Sequence, residues 1–287
     1  MKVLSLFDGI SCGMVALERA GIPVERYVAY EIDKNAIKIS QKNYPQIEHC
    51  GDVTTADFTQ YHGFDLLIGG SPCQSLSIVQ SKTRKHLDGK SKLFFEFVRA
   101  KEEMKPRYFL FENVASMNDE SKRVISELMG CDPIFIDSGL FSAQQRPRLY
   151  WTNIPVQLDG VKESPLVLKD IMQKDVPEKY FYNYPLHDVD MSKQVCAIME
   201  FKNHDMHKRI FNPDHKCHTL TTVGGGNAHK KVMDNGRARK LTPLEYERLQ
   251  TLPDNYTAGV ADTNRYKAIG NGWTVDVISY ILQALKK

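Results

Sequence analysis

Six short apolar runs alternate with helix-length segments over the first 137 residues, and that alternation constrains the fold more than any other feature. The runs lie at residues 3–7, 27–30, 47–50, 64–68, 107–111 and 133–137. Between them, residues 14–20 read as a helix stopped by Gly21, and Asp33 caps a second helix over 34–43. Residues 93–104 and 121–129 carry two further helical patterns. Apolar strands separated by helices predict an α/β fold on a doubly wound parallel sheet. After Pro155 the alternation fails. Residues 156–240 carry turns such as Asn212-Pro213-Asp214 and Gly224-Gly225-Gly226-Asn227, and predict a smaller, irregular second domain. Order returns where Thr242-Pro243-Leu244-Glu245 starts a helix reaching about Thr251. An amphipathic helix over 273–285 ends the chain and is predicted to pack back on the first sheet.

In an open α/β sheet, reactive groups sit in loops beyond the carboxyl ends of strands. The run at 64–68 leads into Gly69-Gly70-Ser71-Pro72-Cys73-Gln74-Ser75, so Cys73 stands where a nucleophile would be displayed. The plain alternative is a small buried cysteine at a strand end. The first strand leads into Phe7-Asp8-Gly9-Ile10-Ser11-Cys12-Gly13, whose glycines let a ligand approach the backbone. The spacing is not the G-x-G-x-x-G of a dinucleotide fold, which points to a cofactor without a pyrophosphate. Glu31 ends the second strand and can take a ribose hydroxyl pair, and Asp52 follows the third and can accept from an adenine amino group. As single residues these are equally well helix caps. Glu112-Asn113 ends the fifth strand, within reach of whatever Cys73 attacks. It fits a general acid, or else a capping or salt-bridged carboxylate.

Gln144-Gln145-Arg146-Pro147-Arg148 places two arginines on one side of an extended segment, suited to phosphate or carbonyl oxygens, or to a solvated edge strand. The densest basic stretch runs from His229-Lys230-Lys231 to Arg237-Ala238-Arg239-Lys240, after the flexible Thr221-Thr222-Val223-Gly224-Gly225. It suits phosphate contact. Arg84 belongs to a second basic run in the long loop after Cys73, which could close over a substrate. The spacings among His204, His207, His215, Cys217 and His218 match no standard zinc pattern, so these are read as surface or DNA-facing residues and no metal is expected.

Net charge is only +3, so any basic surface must be local. The first residues are too short for a signal peptide, and no apolar run approaches the ~18 residues of a membrane span. The six cysteines contain no C-x-x-C pair, which fits reduced thiols in a cytosol-like compartment. A cytoplasmic protein with no membrane contact and no obligate protein partner is expected.

Taken together, these motifs resemble the DNA cytosine-5 methyltransferase family in order and spacing, over the chain outside roughly 156–235. Pro72-Cys73-Gln74 resembles the nucleophile motif and Glu112-Asn113-Val114 the acid motif. Gln144-x-Arg146-x-Arg148 resembles the arginine motif. Arg239-x-Leu241-Thr242 through Pro253 resembles the segment that supports the recognition domain, and Gly270-Asn271 the motif that returns to the cofactor. The first turn, and Trp273 after Gly270-Asn271-Gly272, are more similar to the animal de novo DNA methyltransferases. Gln74 is the bacterial-type residue, so the chain looks like a bacterial or viral relative of that branch.

The resemblance implies a Rossmann-like sheet over 1–172, completed by 262–287, a target-recognition domain over 173–240 and a hinge over 241–261. It implies S-adenosyl-L-methionine as cofactor, held by Phe7, Asp8, Gly9, Ile10, Glu31, Ile32, Asp52, Val53, Pro72, Asn271 and Trp273. It implies methyl transfer to carbon 5 of a flipped-out cytosine in double-stranded DNA, with Cys73, Glu112, Arg146 and Arg148 as the catalytic set. DNA contacts are expected from Gln74, Ser75, Arg84, Thr221, Thr222, Gly224, Gly225, Lys230, Lys231 and Arg239. An RNA cytosine methyltransferase and a catalytically silent DNA-binding subunit are the rival readings.

Overall fold

The computed structural model describes residues 1–71, 92–223 and 226–286. Pro72, Cys73, Gln74, Ser75 and Arg84, together with Gly224 and Gly225, lie outside the described residues. The described residues form two compact units. The first comprises 1–137, 147–159 and 277–287, and the second 138–146 and 160–276.

In the first unit, β1 (Lys2–Leu6), α1 (Cys12–Arg19), β2 (Arg26–Tyr30), α2 (Lys34–Asn43) and β3 (Glu48–His49) come first in the chain. Next are β4 (Leu66–Gly69), α3 (Lys92–Met104), β5 (Tyr108–Val114), α4 (Asp119–Met129) and β6 (Ile134–Asp137). β7 (Gln144–Gln145) belongs to the second unit, and β8 (Pro147–Thr152) returns to the first. The seven-stranded sheet has the order β3-β2-β1-β4-β5-β8-β6. Five of its strands, β3 to β5 in that order, run parallel. β8 runs antiparallel to both neighbours, so the sheet is mixed rather than wholly parallel. The arginine-bearing segment is therefore not a solvated edge: Leu149, Tyr150 and Trp151 are buried in the sheet's interior.

The strand order reverses between β1 and β4. At such a switch point the loops beyond the two strand ends diverge and leave a crevice for ligands. The turn after β1 and the Gly69-Gly70-Ser71 segment after β4 are both set there. Gly69 is required by packing, since a Cβ would lie 2.7 Å from the Leu6 carbonyl and 3.1 Å from the Phe97 ring. The core beneath joins Leu4, Leu6 and Leu67 to Phe94, Phe97, Phe111 and Trp151. Local chemistry sets the helices: Asp33 caps α2 by accepting from the Asn35 and Ala36 amides, and Asn118 caps α4.

The second unit adds α5 (Leu168–Ile171), β9 (Leu186–His187), β10 (Val195–Met199), α6 (Asp205–Lys208), β11 (Arg209–Phe211) and β12 (Cys217–His218). It continues with β13 (Lys231–Asp234), β14 (Arg237–Lys240), α7 (Pro243–Leu249) and α8 (Asp262–Asn271). α9 (Val275–Gln283) leads back to the first unit. A five-stranded sheet has the order β14-β13-β11-β10-β9, and β12 pairs with β7. β13 and β14 form a hairpin over Asn235-Gly236, both left-handed at φ 48° and 79°, the turn that suits a twisted two-residue hairpin. Thr242 and Glu245 close a capping box at α7. Among the described residues no helix is long and apolar enough to cross a membrane.

Candidate active site

At the carboxyl end of β1 the chain makes a turn in which Phe7, Gly9 and Ser11 all take left-handed φ values, 58°, 59° and 59°. For Phe and Ser that conformation costs on the order of 1–3 kcal/mol each and persists only where contacts enforce it. Glu31 supplies one: its Oε2 accepts the Gly9 amide at 2.8 Å, while Oε1 accepts the Ile32 and Asp33 amides, each at 2.8 Å. A carboxylate has about four acceptor positions, so one remains for an incoming hydroxyl. Ile32 beside it is 72 % exposed, an apolar side chain offered to solvent at a strand end. Val53 is buried, but the exposed Asp52 caps a short helical turn through one oxygen, which holds its carboxyl below the usual range. Its other oxygen meets no partner among the described residues. Asp8 faces the protein: Tyr27 and Ser11 donate to its two oxygens at 2.7 and 2.5 Å. Its carboxylate holds the turn.

Glu112 lies within β5, which extends to Val114 because β8 pairs along it. Glu112 is opposite Tyr150 and Val114 opposite Arg148, so Glu112 and Arg148 are diagonal neighbours on one face. Arg148 Nε meets Glu112 Oε1 at 2.7 Å, with both side chains 12 % exposed. The guanidinium also donates to the Pro147 carbonyl. Next along β5, the buried Asn113 amide donates to the Ser71 carbonyl at 3.4 Å. The acid-bearing strand is thus tied to the chain two residues before Cys73. The salt-bridged alternative for Glu112 describes its contact, and the strand-end location describes where the contact sits.

Arg146 belongs to the second unit and is corrected from the sequence expectation. It is buried, donating to the carbonyls of Leu220 at 2.8 Å, Gly270 at 3.1 Å and Gly272 at 3.0 Å. It ties two backbone segments together and does not present its guanidinium to a base. Gln144 reinforces this, taking the Leu220 amide and donating to Leu249 and Gln250. Gly270 is required here because a Cβ would collide with the Thr221 backbone. The same approach lets the exposed Thr222 hydroxyl donate to Asn271 at 2.5 Å. Asn271 and Trp273 both lie in the second unit.

The basic hairpin is also corrected. Lys231 is fully buried, its ammonium donating to the carbonyls of His207, Asn227 and His229. Burial pushes it down to about 8. Arg239 is fully buried between Asp234 and a bidentate Glu245. Both cations organise the second unit and are withdrawn from the expected DNA contacts. Lys230 is half-buried over the Phe211 ring, and Thr221 and Thr222 are exposed. Cys217 is buried and its thiol pushed up to about 12, so it is not a surface group.

His229 is buried beside Tyr266, and burial lowers its pKa to about 4. The unfolded chain therefore takes up this proton near pH 6.5, before the folded one does. The stabilisation is complete above pH 6.5 and is lost as pH falls towards 4. Urea unfolding at pH 7 and pH 5 should show a loss of about 2 kcal/mol from this group. That part of the slope should vanish in His229→Phe.

Gln250 lies in the segment that resembles the support of the recognition domain, but its contacts are not read from the sequence: its amide joins the Ile269 and Gly272 carbonyls to Gln144. Lys216 was missed likewise. Its ammonium collects the carbonyls of Gly139, Ser142, Ser164 and Leu166, and no local pattern marks it out from a surface lysine.

The chain matches the family model for C-5 cytosine-specific DNA methylase over residues 1–131 and 137–287. The Type II methyltransferase M1.ScrFI of Lactococcus lactis subsp. cremoris is 29 % identical over 307 residues, covering 99 % of this chain and 77 % of that one. The Orphan methyltransferase M.SPBetaI of Bacillus phage SPbeta is 25 % identical over 430 residues, covering 99 % and 97 %. Among solved structures, a putative DNA modification methyltransferase encoded within an Escherichia coli prophage superposes with a TM-score of 0.73 at 21 % identity, covering 100 % and 98 %. The S. pombe Dnmt2 methyltransferase superposes with a TM-score of 0.73 at 19 % identity, covering 99 % and 98 %. These two likenesses concern the fold.

Proposed function

The chain belongs to the C-5 cytosine-specific DNA methylase family, and from that premise we propose that it methylates carbon 5 of cytosine in double-stranded DNA through a covalent adduct to Cys73. The observation that supports the reading is the tie between Asn113 and Ser71, two residues before Cys73 in the chain, on the strand that carries the Glu112–Arg148 pair. Carbon 5 of cytosine is a poor nucleophile. Addition of the Cys73 thiolate to carbon 6 turns the ring into an enamine whose carbon 5 can take an electrophilic methyl. Glu112 hydrogen-bonds or protonates N3, where electron density gathers, and Arg148 holds Glu112 in place. Loss of the carbon 5 proton then expels the cysteine. The target atom is shielded in a duplex, so the base is flipped out at a cost of a few kcal/mol.

The methyl is supplied, as a sulfonium substituent, by S-adenosyl-L-methionine when it is bound. The residues after β1, β2 and β3 fit that molecule. Gly9 presents backbone, Glu31 keeps one acceptor position for a ribose hydroxyl, Ile32 offers an apolar surface to the adenine, and Asp52 is an accessible acceptor. Residues 173–240 supply sequence recognition, with Thr221 and Thr222 as exposed groups.

Labelled S-adenosyl-L-methionine, mixed-sequence duplex DNA and matched RNA test the reading. Label traced to carbon 5 of cytosine in DNA alone is the expected result. Transfer to RNA alone would replace the substrate, and no transfer to either would leave a silent binding protein.

A further inference from the structure

The turn after β1 is held from one side by Glu31, and beneath it runs a chain of side chains that no motif marks. Tyr27 and Ser11 donate to Asp8, the Ser11 and Ser40 hydroxyls are 2.6 Å apart, and Ser40 Oγ is 3.0 Å from His49 Nε2. All of these groups belong to the first unit.

The proton order along this chain follows from its end. A carboxylate only accepts, so the Ser11 proton points to Asp8. The Ser11 oxygen then accepts from Ser40. With its one proton used, the Ser40 oxygen must accept from His49, so the imidazole carries its proton on Nε2. Nδ1 is buried and meets no partner among the described residues, which disfavours a second proton there. Asp8 and Glu31 are the carboxylates whose charge reaches the ring, and burial nonetheless lowers its pKa below the usual histidine value. The imidazole is thus a neutral, one-way donor.

Ser11 explains why that direction matters. It occupies the position preceding α1 in a left-handed conformation, and its side chain makes no capping bond to the helix. Its hydroxyl instead joins Asp8 to Ser40, and this join keeps Asp8 and Gly9 in place above the buried Ser40 of α2. Without the His49 donor, the Ser40 hydroxyl is no longer fixed and the strained turn loses one support, beside those it keeps from Glu31, Tyr27 and the Tyr30 carbonyl.

We propose that His49 is a positioning residue for cofactor binding, fixing the turn at Gly9 through Ser40, Ser11 and Asp8. The inference rests on the reading that this turn holds S-adenosyl-L-methionine. The test uses the full chain as wild type, His49→Leu, His49→Gln and Ser40→Ala. Cofactor affinity is measured by calorimetry, and methyl transfer with cofactor and DNA varied separately. His49→Leu should raise the Kd and KM for S-adenosyl-L-methionine about 10-fold, the worth of one hydrogen bond, with kcat and the KM for DNA within twofold. Ser40→Ala should do the same, since the small side chain is tolerated within α2. His49→Gln should restore affinity to within about threefold, because its amide can donate to Ser40 as Nε2 does.

Unchanged affinity in His49→Leu and Ser40→Ala overturns the inference alone. Equal weakening in the Gln and Leu variants overturns it too, as does a loss confined to kcat. A folded wild-type protein that does not bind the cofactor overturns the reading of the turn itself, and the inference with it.

Discussion

Cys73→Ala should lower methyl transfer to DNA by on the order of 10⁴-fold or more, while cofactor and duplex binding stay within a few-fold. The size of the effect follows from the chemistry. Cytosine carbon 5 has too little electron density to displace a group from sulfonium on its own, so without addition at carbon 6 the pocket holds reactants that do not react. Alanine keeps the Cβ and removes only the sulfur, so binding through the surrounding backbone survives. Serine should not rescue, because its hydroxyl is not ionised near neutral pH and is a weaker nucleophile than a thiolate. Single-turnover transfer with labelled cofactor reads the loss, and fluorescence anisotropy with a labelled duplex reads binding. Residual activity within tenfold of wild type would remove Cys73 from the role of nucleophile.

The alternation of apolar runs was enough to place β1, β2, β4 and β5 and the turn beyond β1, because a strand buried on both faces leaves a continuous apolar signature. Capping residues were equally readable: Asp33 and Thr242 act locally, through amides two or three residues away. Strand direction is not written in such a signature. The antiparallel insertion of β8 between β5 and β6 was illegible for that reason, and two arginines in five residues made the segment look solvated. The same blindness to direction affected the hairpin. Lys231 and Arg239 read as nucleic-acid-facing charge because counting cations cannot tell a surface from an ion pair.

The signal was present in hindsight. Asp234 and Glu245 flank Arg239 closely enough to pair with it, and Asn235-Gly236 announces the turn that folds β13 onto β14. A fully buried guanidinium needs such partners, since an unpaired buried charge costs several kcal/mol. The contacts of His49, Ser40, Gln250 and Lys216 join residues between 9 and 106 positions apart with no periodic pattern. Only the folded chain discloses them.

Glu112→Gln should lower kcat by about 10²- to 10⁴-fold and leave cofactor affinity unchanged. Glutamine keeps the shape and can donate an N–H toward N3, but it can neither deliver a proton nor pair with a cation. The Arg148 contact makes the experiment more discriminating than one substitution. Arg148 Nε sits 2.7 Å from Glu112, and both are largely buried, so the guanidinium fixes which way the carboxylate faces. If Arg148 acts only by orienting Glu112, Arg148→Met should cost activity in the wild-type background and almost nothing in Glu112→Gln. A double-mutant cycle then gives a coupling energy close to the whole effect of Arg148→Met. Additive losses would mean instead that Arg148 touches the base or its phosphate independently of Glu112. A Glu112→Gln enzyme within threefold of wild type would place the proton at N3 under the control of another group.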